Sequence, residues 1–374
     1  MGSEGINNSK EQYGNQNIVV KNTSIAIIGA GLSGLTLAYR LRNTGLEVSV
    51  LEARDRPGGR IFTFEEDDEP PIDMGATWLG KKHGNLIGLL QELGLEITEQ
   101  YMGERAYYEP ISTSPPQLVT LPPNDEPSYR IAEGSSGLIE ALVDSLESGD
   151  LIMGEAVLTI LNTRDTCLVK TTDRSLEVDH VVITIPPKLF VESIKFDPSL
   201  PGSLVETAKK THTWMAESIK FGLSYPEPFW KENNISGTLF SNTGPIPEMY
   251  DHSATTGLGY ALKGFLKDAY HTVSEEERKR LVLKKLESIY GEQALSYLSY
   301  RETVWRHEPF TFAEYGEPIL PHQNNGNPIF KQSYWDGKLL LSGSETASEF
   351  PGYMDGAVES ANRTAEMIKL HSGR

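Results

Sequence analysis

Gly29, Gly31 and Gly34 stand in a G-x-G-x-x-G spacing between a short apolar run, Ser24 to Ile28, and a stretch whose Leu35, Ala38 and Leu41 recur at helical spacing up to Gly45. That order is strand, tight turn, helix. Gly29 permits the turn, Gly31 admits backbone N–H groups to a pyrophosphate, and Gly34 lets helix and strand approach closely. The helix N-terminus then faces the phosphate charge. Val48 to Leu51 predict a second strand, ending at Glu52 roughly 20 residues past the last glycine, where a carboxylate accepts hydrogen bonds from ribose hydroxyls and repels a ribose phosphate. The stretch therefore specifies dinucleotide binding and disfavours NADP.

The residues after the acid narrow the cofactor further. Arg54-Asp55-Arg56-Pro57-Gly58-Gly59-Arg60 places a second glycine pair among arginines, able to lie against the middle of a long dinucleotide while Arg60 meets its diphosphate. This points to FAD rather than NAD.

With Ile-Ile-Gly-Ala-Gly-Leu-Ser-Gly, Leu-Glu-Ala-Arg-Asp-Arg-Pro-Gly-Gly-Arg, Asp73-Met74-Gly75-Ala76-Thr77-Trp78, Gly343-Ser344-Glu345-Thr346 and Gly352-Tyr353-Met354-Asp355-Gly356-Ala357-Val358-Glu359, the chain resembles the flavin-dependent amine oxidase family of monoamine and polyamine oxidases. The resemblance spans nearly everything after residue 23. It implies an α/β fold: a Rossmann-like FAD-binding domain of discontinuous segments (23–80, 134–188 and 331–374) and an α+β substrate domain with a mixed or antiparallel sheet (81–133 and 189–330). Residues 1–22 are expected to be a disordered tail.

Site roles follow from the same resemblance. FAD contacts are expected from Gly29, Gly31, Leu32, Ser33 and Gly34 in the first turn, from Glu52, Ala53 and Arg54 at the second strand, and from Gly59 and Arg60. Gly75, Ala76, Thr77 and Trp78 follow, then Val157 against the adenine, Gly343 and Glu345 near the ribityl or phosphate region, and Tyr353 and Met354 at the last helix. The N-terminus of that helix would stabilise negative charge at the pyrimidine edge of the flavin. Lys220 is the anomaly of an apolar strand, Ser218 to Tyr225, since lysine is rarely buried without a partner. The resemblance gives it the lysine that holds a water at flavin N5. An ungapped match onward from Trp305-Arg306-His307-Glu308 puts Tyr315 and Tyr353 at two aromatic-cage positions, where ring faces favour an amine. It also puts Glu314 where some members carry a flavin-linking cysteine, so FAD is expected to be noncovalent.

Composition bounds the alternatives. Asp plus Glu number 52 against 34 Lys plus Arg, a net charge of −18, so nucleic acid and anionic membranes are poor partners. Cys167 is the only cysteine, which excludes an intramolecular disulfide and a C-x-x-C pair, and the eight scattered histidines show no metal spacing, so no metal is expected. Residues 1–17 read as a polar tail rather than a signal peptide, and no stretch reaches the roughly 18 apolar residues of a membrane span. A soluble cytoplasmic enzyme is expected, acting on a small-molecule amine with O2 as acceptor, with homodimer formation left open.

Further along, helices are predicted over 83–93, 137–146, 274–290 (capped by Ser274 and Glu277) and 354–370, and strands over 157–161, 167–171, 181–185 and 303–305. Six prolines within 109–127 predict an irregular loop or lid. Other readings are an L-amino-acid oxidase, a carbon–carbon desaturating flavoenzyme of the same superfamily, and a noncatalytic FAD-binding protein. The first requires a cation for the substrate carboxylate, and Arg105, Arg130, Arg301 and Arg306 are candidates.

Overall fold

The computed structural model describes residues 23–255, 257 and 259–371; the tail expected at 1–22 lies outside them. Its centre is a parallel sheet of five strands in the order Leu151–Ile152, Glu47–Leu51, Ser24–Ile28, His180–Ile183 and Leu339–Leu341. The inner strands are almost wholly apolar because both faces are covered, as parallel sheets require. The first helix (Leu32–Leu41), Ser136–Asp144 and the last helix (Met354–His371) pack on one face through Leu35, Leu37, Leu138, Val358 and Ala361. A four-stranded layer holding Val157–Asn162 and Cys167–Thr171 closes the other face. This parallel-sheet unit is thus assembled from separated stretches of chain.

Two segments expected in the substrate domain join this unit instead. The helix Gly84–Glu92 sends Leu86, Leu89 and Leu90 into the core shared by the first and last helices. Residues 189–208 contribute Phe190, Ile194, Leu204 and Ala208 to the core beneath Ala26 and Val181. Their apolar faces announce burial but not which core receives them.

The second large sheet has seven strands, in the order Ser299–Val304, Ile219–Tyr225, Tyr260–Leu266, Glu248–Asp251, Ile235–Ser241, Arg105–Glu109 and Gln117–Thr120. Only the Ile235–Ser241 and Arg105–Glu109 pair is parallel, so the sheet is mixed. Gln117–Thr120 lies within the proline-rich segment expected to be irregular. The prolines flank the strand and it occupies the sheet edge, where missing N–H donors are tolerated. The helix Glu275–Tyr290, with the Ser274 hydroxyl accepting from Glu277 N at 3.3 Å, covers one face through Val282 and Leu286. Along Ile219–Tyr225 the period of two sends Ile219, Phe221, Leu223 and Tyr225 into that core and turns Lys220 to the opposite face, against the cofactor unit. Every residue of the strand is buried, Lys220 included. No helix among the described residues is long and apolar enough to cross a membrane.

Candidate active site

A cavity of about 460 Å³ runs from the glycine turn to the buried lysine, a size suited to a bound small molecule. At its glycine end Gly31, Leu32 and Ser33 line the wall, and the first helix begins at Gly31 without a side-chain cap or an acidic residue in its first turn. Its leading N–H groups therefore need an acceptor from outside the chain, which a pyrophosphate supplies. Gly29 has φ +106°, and a Cβ on Gly34 would lie 2.0 Å from the Gly29 carbonyl oxygen. Gly34 is thus a packing residue behind the wall. Glu52 accepts from Ala30 N at 2.9 Å and from Arg54 N at 3.0 Å, which fixes its carboxylate at the cavity edge. This donor and acceptor set fits FAD.

The arginines are less free than their spacing suggested. Arg60 lines the cavity, yet its guanidinium pairs with the buried Glu345 at 2.6 and 3.0 Å and donates to the Ser344 hydroxyl at 2.9 Å. Burial opposes ionisation of Glu345, but Arg60 and its hydrogen bonds outweigh it and hold the carboxyl below the usual range. Glu345 therefore acts on the site through Arg60 rather than by lining it. Gly343 also stands behind the wall, against the Thr184 carbonyl, and Ser344 takes the lining position. Arg54 donates to Pro309 O and Thr311, far along the chain. Ala53, Gly59, Val157 and Met354 all line the cavity.

At the other end two strands of the seven-stranded sheet and the residues that follow two others hold the segment 73–77. Trp305 Nε1 donates to Met74 O at 2.8 Å, Lys220 Nζ to Gly75 O, and Lys263 Nζ to Thr77 Oγ1 at 2.6 Å, while His252 Nε2 accepts from Asp73 N at 3.1 Å. Gly75, Ala76, Thr77 and Trp78 are thereby held in the wall. Lys220 also lies 5.0 Å from the Phe265 ring centroid and 5.6 Å from that of Trp78. Burial lowers its pKa to about 8, against the charges of Asp73 and Glu248 that favour the ammonium. Lys263, a second fully buried lysine, is pushed well below its ordinary value, first by burial and then by Lys220. Lys263 and His252 were not anticipated, although Lys263 shows the same signal as Lys220, a lysine inside an apolar run.

Tyr353 lines the cavity beside the last helix, its ring stacked 5.7 Å from His322 and tilted 5.8 Å from Trp214. Trp214 is the other aromatic wall on this side. Tyr315 does not face it: its hydroxyl accepts from Thr213 N at 2.8 Å and donates to Thr211 O at 3.1 Å, outside the cavity lining. The ungapped extension fails because the chain turns at Phe310, φ +61°, where Pro309 and Thr311 dock on Arg54. Cys167 sits in the core beneath the central sheet, where burial pushes its thiol up to about 11. No His, Cys, Asp and Glu cluster among the described residues could hold a metal.

The family model for flavin containing amine oxidoreductases matches residues 32–113 and 112–369. A probable flavin-containing monoamine oxidase A of Dictyostelium discoideum is 26% identical, over 92% of this chain and 97% of that protein. The flavin-containing amine oxidase B of Homo sapiens is 25% identical, over 93% of this chain and 86% of that protein. Among solved structures, a putrescine oxidase bound to putrescine superposes with a TM-score of 0.81 at 23% identity, covering 94% of this chain and 99% of that one. The cyclohexylamine oxidase of Brevibacterium oxydans gives 0.82 at 21%, covering 95% and 100%.

Proposed function

The chain belongs to the flavin-containing amine oxidoreductase family, with FAD as its cofactor, and from that premise we propose that it oxidises an unprotonated amine to an imine, which water hydrolyses to a carbonyl compound. The observation that carries this reading is that the buried Lys220 and the ring of Tyr353 line the same cavity as the uncapped glycine turn. The chemistry that FAD supplies when bound is acceptance of a hydride from the carbon alpha to nitrogen and delivery of both electrons to O2 as hydrogen peroxide.

The protein supplies orientation and field. Lys220, fixed on Gly75 O with its pKa lowered by burial to about 8, would supply positive charge to the cavity as negative charge develops there. The rings of Tyr353 and Trp214, tilted 5.8 Å apart, add an aromatic stretch to the wall of the same cavity. With the sole cysteine in the core under the central sheet, a thioether to the cofactor has no donor, which supports noncovalent binding.

An amine is favoured over an amino acid by the arginines. Arg130 is committed to Ser253 O, Arg301 pairs with Glu66 and Arg306 with Asp268, and neither these nor Arg105 line the cavity. Relatives named for monoamines, putrescine and cyclohexylamine support the same class. Purified protein incubated in air with a panel of amines and amino acids tests the reading. Peroxide and carbonyl product should form in equal amounts with at least one amine; peroxide from amino acids alone, or from nothing, contradicts it.

A further inference from the structure

We propose that a second, smaller cavity binds a single monatomic anion of the chloride class, held by Arg130 and His252 close to the two buried lysines. This cavity is lined by Asp73, Arg130, Glu133, His252 and Thr255 among others and shares no lining residue with the larger one. Its volume of about 10 Å³ admits one occupant the size of a water or a small ion. A carboxylate or a phosphate is too large for it.

Two buried donors among its lining residues have no acceptor among the described residues. Arg130, on the strand Tyr129–Ile131, donates from Nη2 to Ser253 O, next to His252 in the chain, and leaves Nε unpaired. His252 is 1% exposed and its Nε2 accepts from Asp73 N at 3.1 Å. Burial first, then the charges of Lys263, Arg130 and Lys220, hold the ring neutral. The one ring proton is therefore on Nδ1, and that N–H is the second unpaired donor. Two converging donors call for an acceptor, not a metal.

Charge favours an anion over a water. Arg130, Lys220 and Lys263 are each hydrogen-bonded to a neutral oxygen, on Ser253, Gly75 and Thr77, rather than to a carboxylate. The acidic groups that face them are engaged or distant from the cavity. Asp73 accepts from Thr63 Oγ1 at 2.7 Å and from Ser135 N at 2.8 Å, and Asp251 accepts from Trp230 Nε1 at 2.7 Å and meets Lys231 at 3.2 Å. Glu133 is exposed, where solvent screens it, and accepts from Thr255 Oγ1 at 3.2 Å; Glu248 lines the larger cavity instead. A buried anion satisfies both unpaired donors and offsets the surplus of buried positive charge. Its occupancy is then linked to the protons on Lys220 and Lys263, each favouring the other.

The NMR line width of chloride, measured with the holoenzyme in the absence of any amine, tests the site. Wild type should broaden the line, bromide should displace the chloride, and the dissociation constant should rise by about tenfold or more in Arg130→Gln, as for a lost hydrogen bond between charged partners. Affinity in wild type should fall as pH rises through about 8, where Lys220 loses its proton, by at most about tenfold per pH unit for one linked proton. Should Arg130→Gln fail to fold, bromide-soaked crystals of wild type decide: an anomalous peak within hydrogen-bond distance of Arg130 Nε and His252 Nδ1 supports the site. Density there without anomalous signal, or chloride broadening that Arg130→Gln leaves unchanged, would make the occupant a water or the binding superficial and overturn the inference. No step of amine oxidation enters these readouts, so their outcome is independent of the reaction proposed above.

Discussion

The two ends of the cavity are made from different material. The glycine end is made from backbone: an uncapped helix start at Gly31 and amides that hold Glu52, drawn mainly from residues 29–60. The lysine end is made from side chains: Lys220 and Lys263 on two strands, and Trp305 and His252 just past the ends of two others, converge on residues 73–77. Backbone sites follow from local spacing and tolerate no added atom. Side-chain sites depend on strand register and tolerate substitution at the cost of chemistry.

That contrast breaks most visibly at Gly34. Gly34→Val forces atoms into the Gly29 carbonyl, so folded, flavin-bearing protein should be lost, whereas Gly88→Ala, with nothing within 4 Å of its added Cβ, should retain full flavin absorbance. Equal flavin content in the two would refute a backbone-built end. Glu345→Gln comes next, because it leaves Arg60 facing the cavity unpaired. Arg60 is a quarter exposed, so the loss should be about 2–3 kcal/mol rather than the full value of a buried pair. Since the folded-state pKa of Glu345 lies below the ordinary 4.5, its contribution is complete above that value and disappears as pH falls through the depressed one. The melting temperature of wild type should therefore drop more steeply than that of Glu345→Gln on acidification below about pH 4.5.

At the lysine end the expected change is in rate. Lys220→Met should slow turnover roughly a hundredfold or more while flavin stays bound. Burial lowers the folded pKa of Lys220 to about 8 from 10.5, so the charged form costs stability below pH 8 and that cost vanishes as pH rises towards 10.5. Wild type should accordingly gain stability relative to Lys220→Met between pH 8 and 10.5, read from denaturant midpoints. The smallest effect belongs to Tyr315→Phe, which should cost about 1 kcal/mol of stability through its lost hydrogen bonds and leave kcat/KM unchanged. A large loss of kcat/KM there would return Tyr315 to the substrate wall.

The same division explains what could be read from residues alone. The strand, turn and helix at 24–41 and the carboxylate of Glu52 are encoded within one short stretch, and Lys220 stood out because a charge interrupts an apolar strand. Tyr315 lies outside the cavity lining, its hydroxyl held by Thr213 N and Thr211 O, and a spacing counted on from Trp305 carries no trace of the positive φ at Phe310 that intervenes. Glu248 carries no local signal, since its position in the wall arises only from pairing across Phe265. Glu345, expected near the ribityl or phosphate region, requires a compensating donor that local sequence does not name; Arg60, remote in sequence, is that donor. The helix Gly84–Glu92 and residues 189–208 show apolar faces, but only tertiary packing assigns them to the cofactor unit.

The central claim is that both ends belong to one reaction site. Anaerobic addition of substrate amine to the yellow holoenzyme, followed in the visible spectrum, tests it most directly. The flavin band should bleach rapidly in wild type and at least a hundredfold more slowly in Lys220→Met at equal flavin content. A band that no amine bleaches, or one that bleaches equally fast in both proteins, would contradict it.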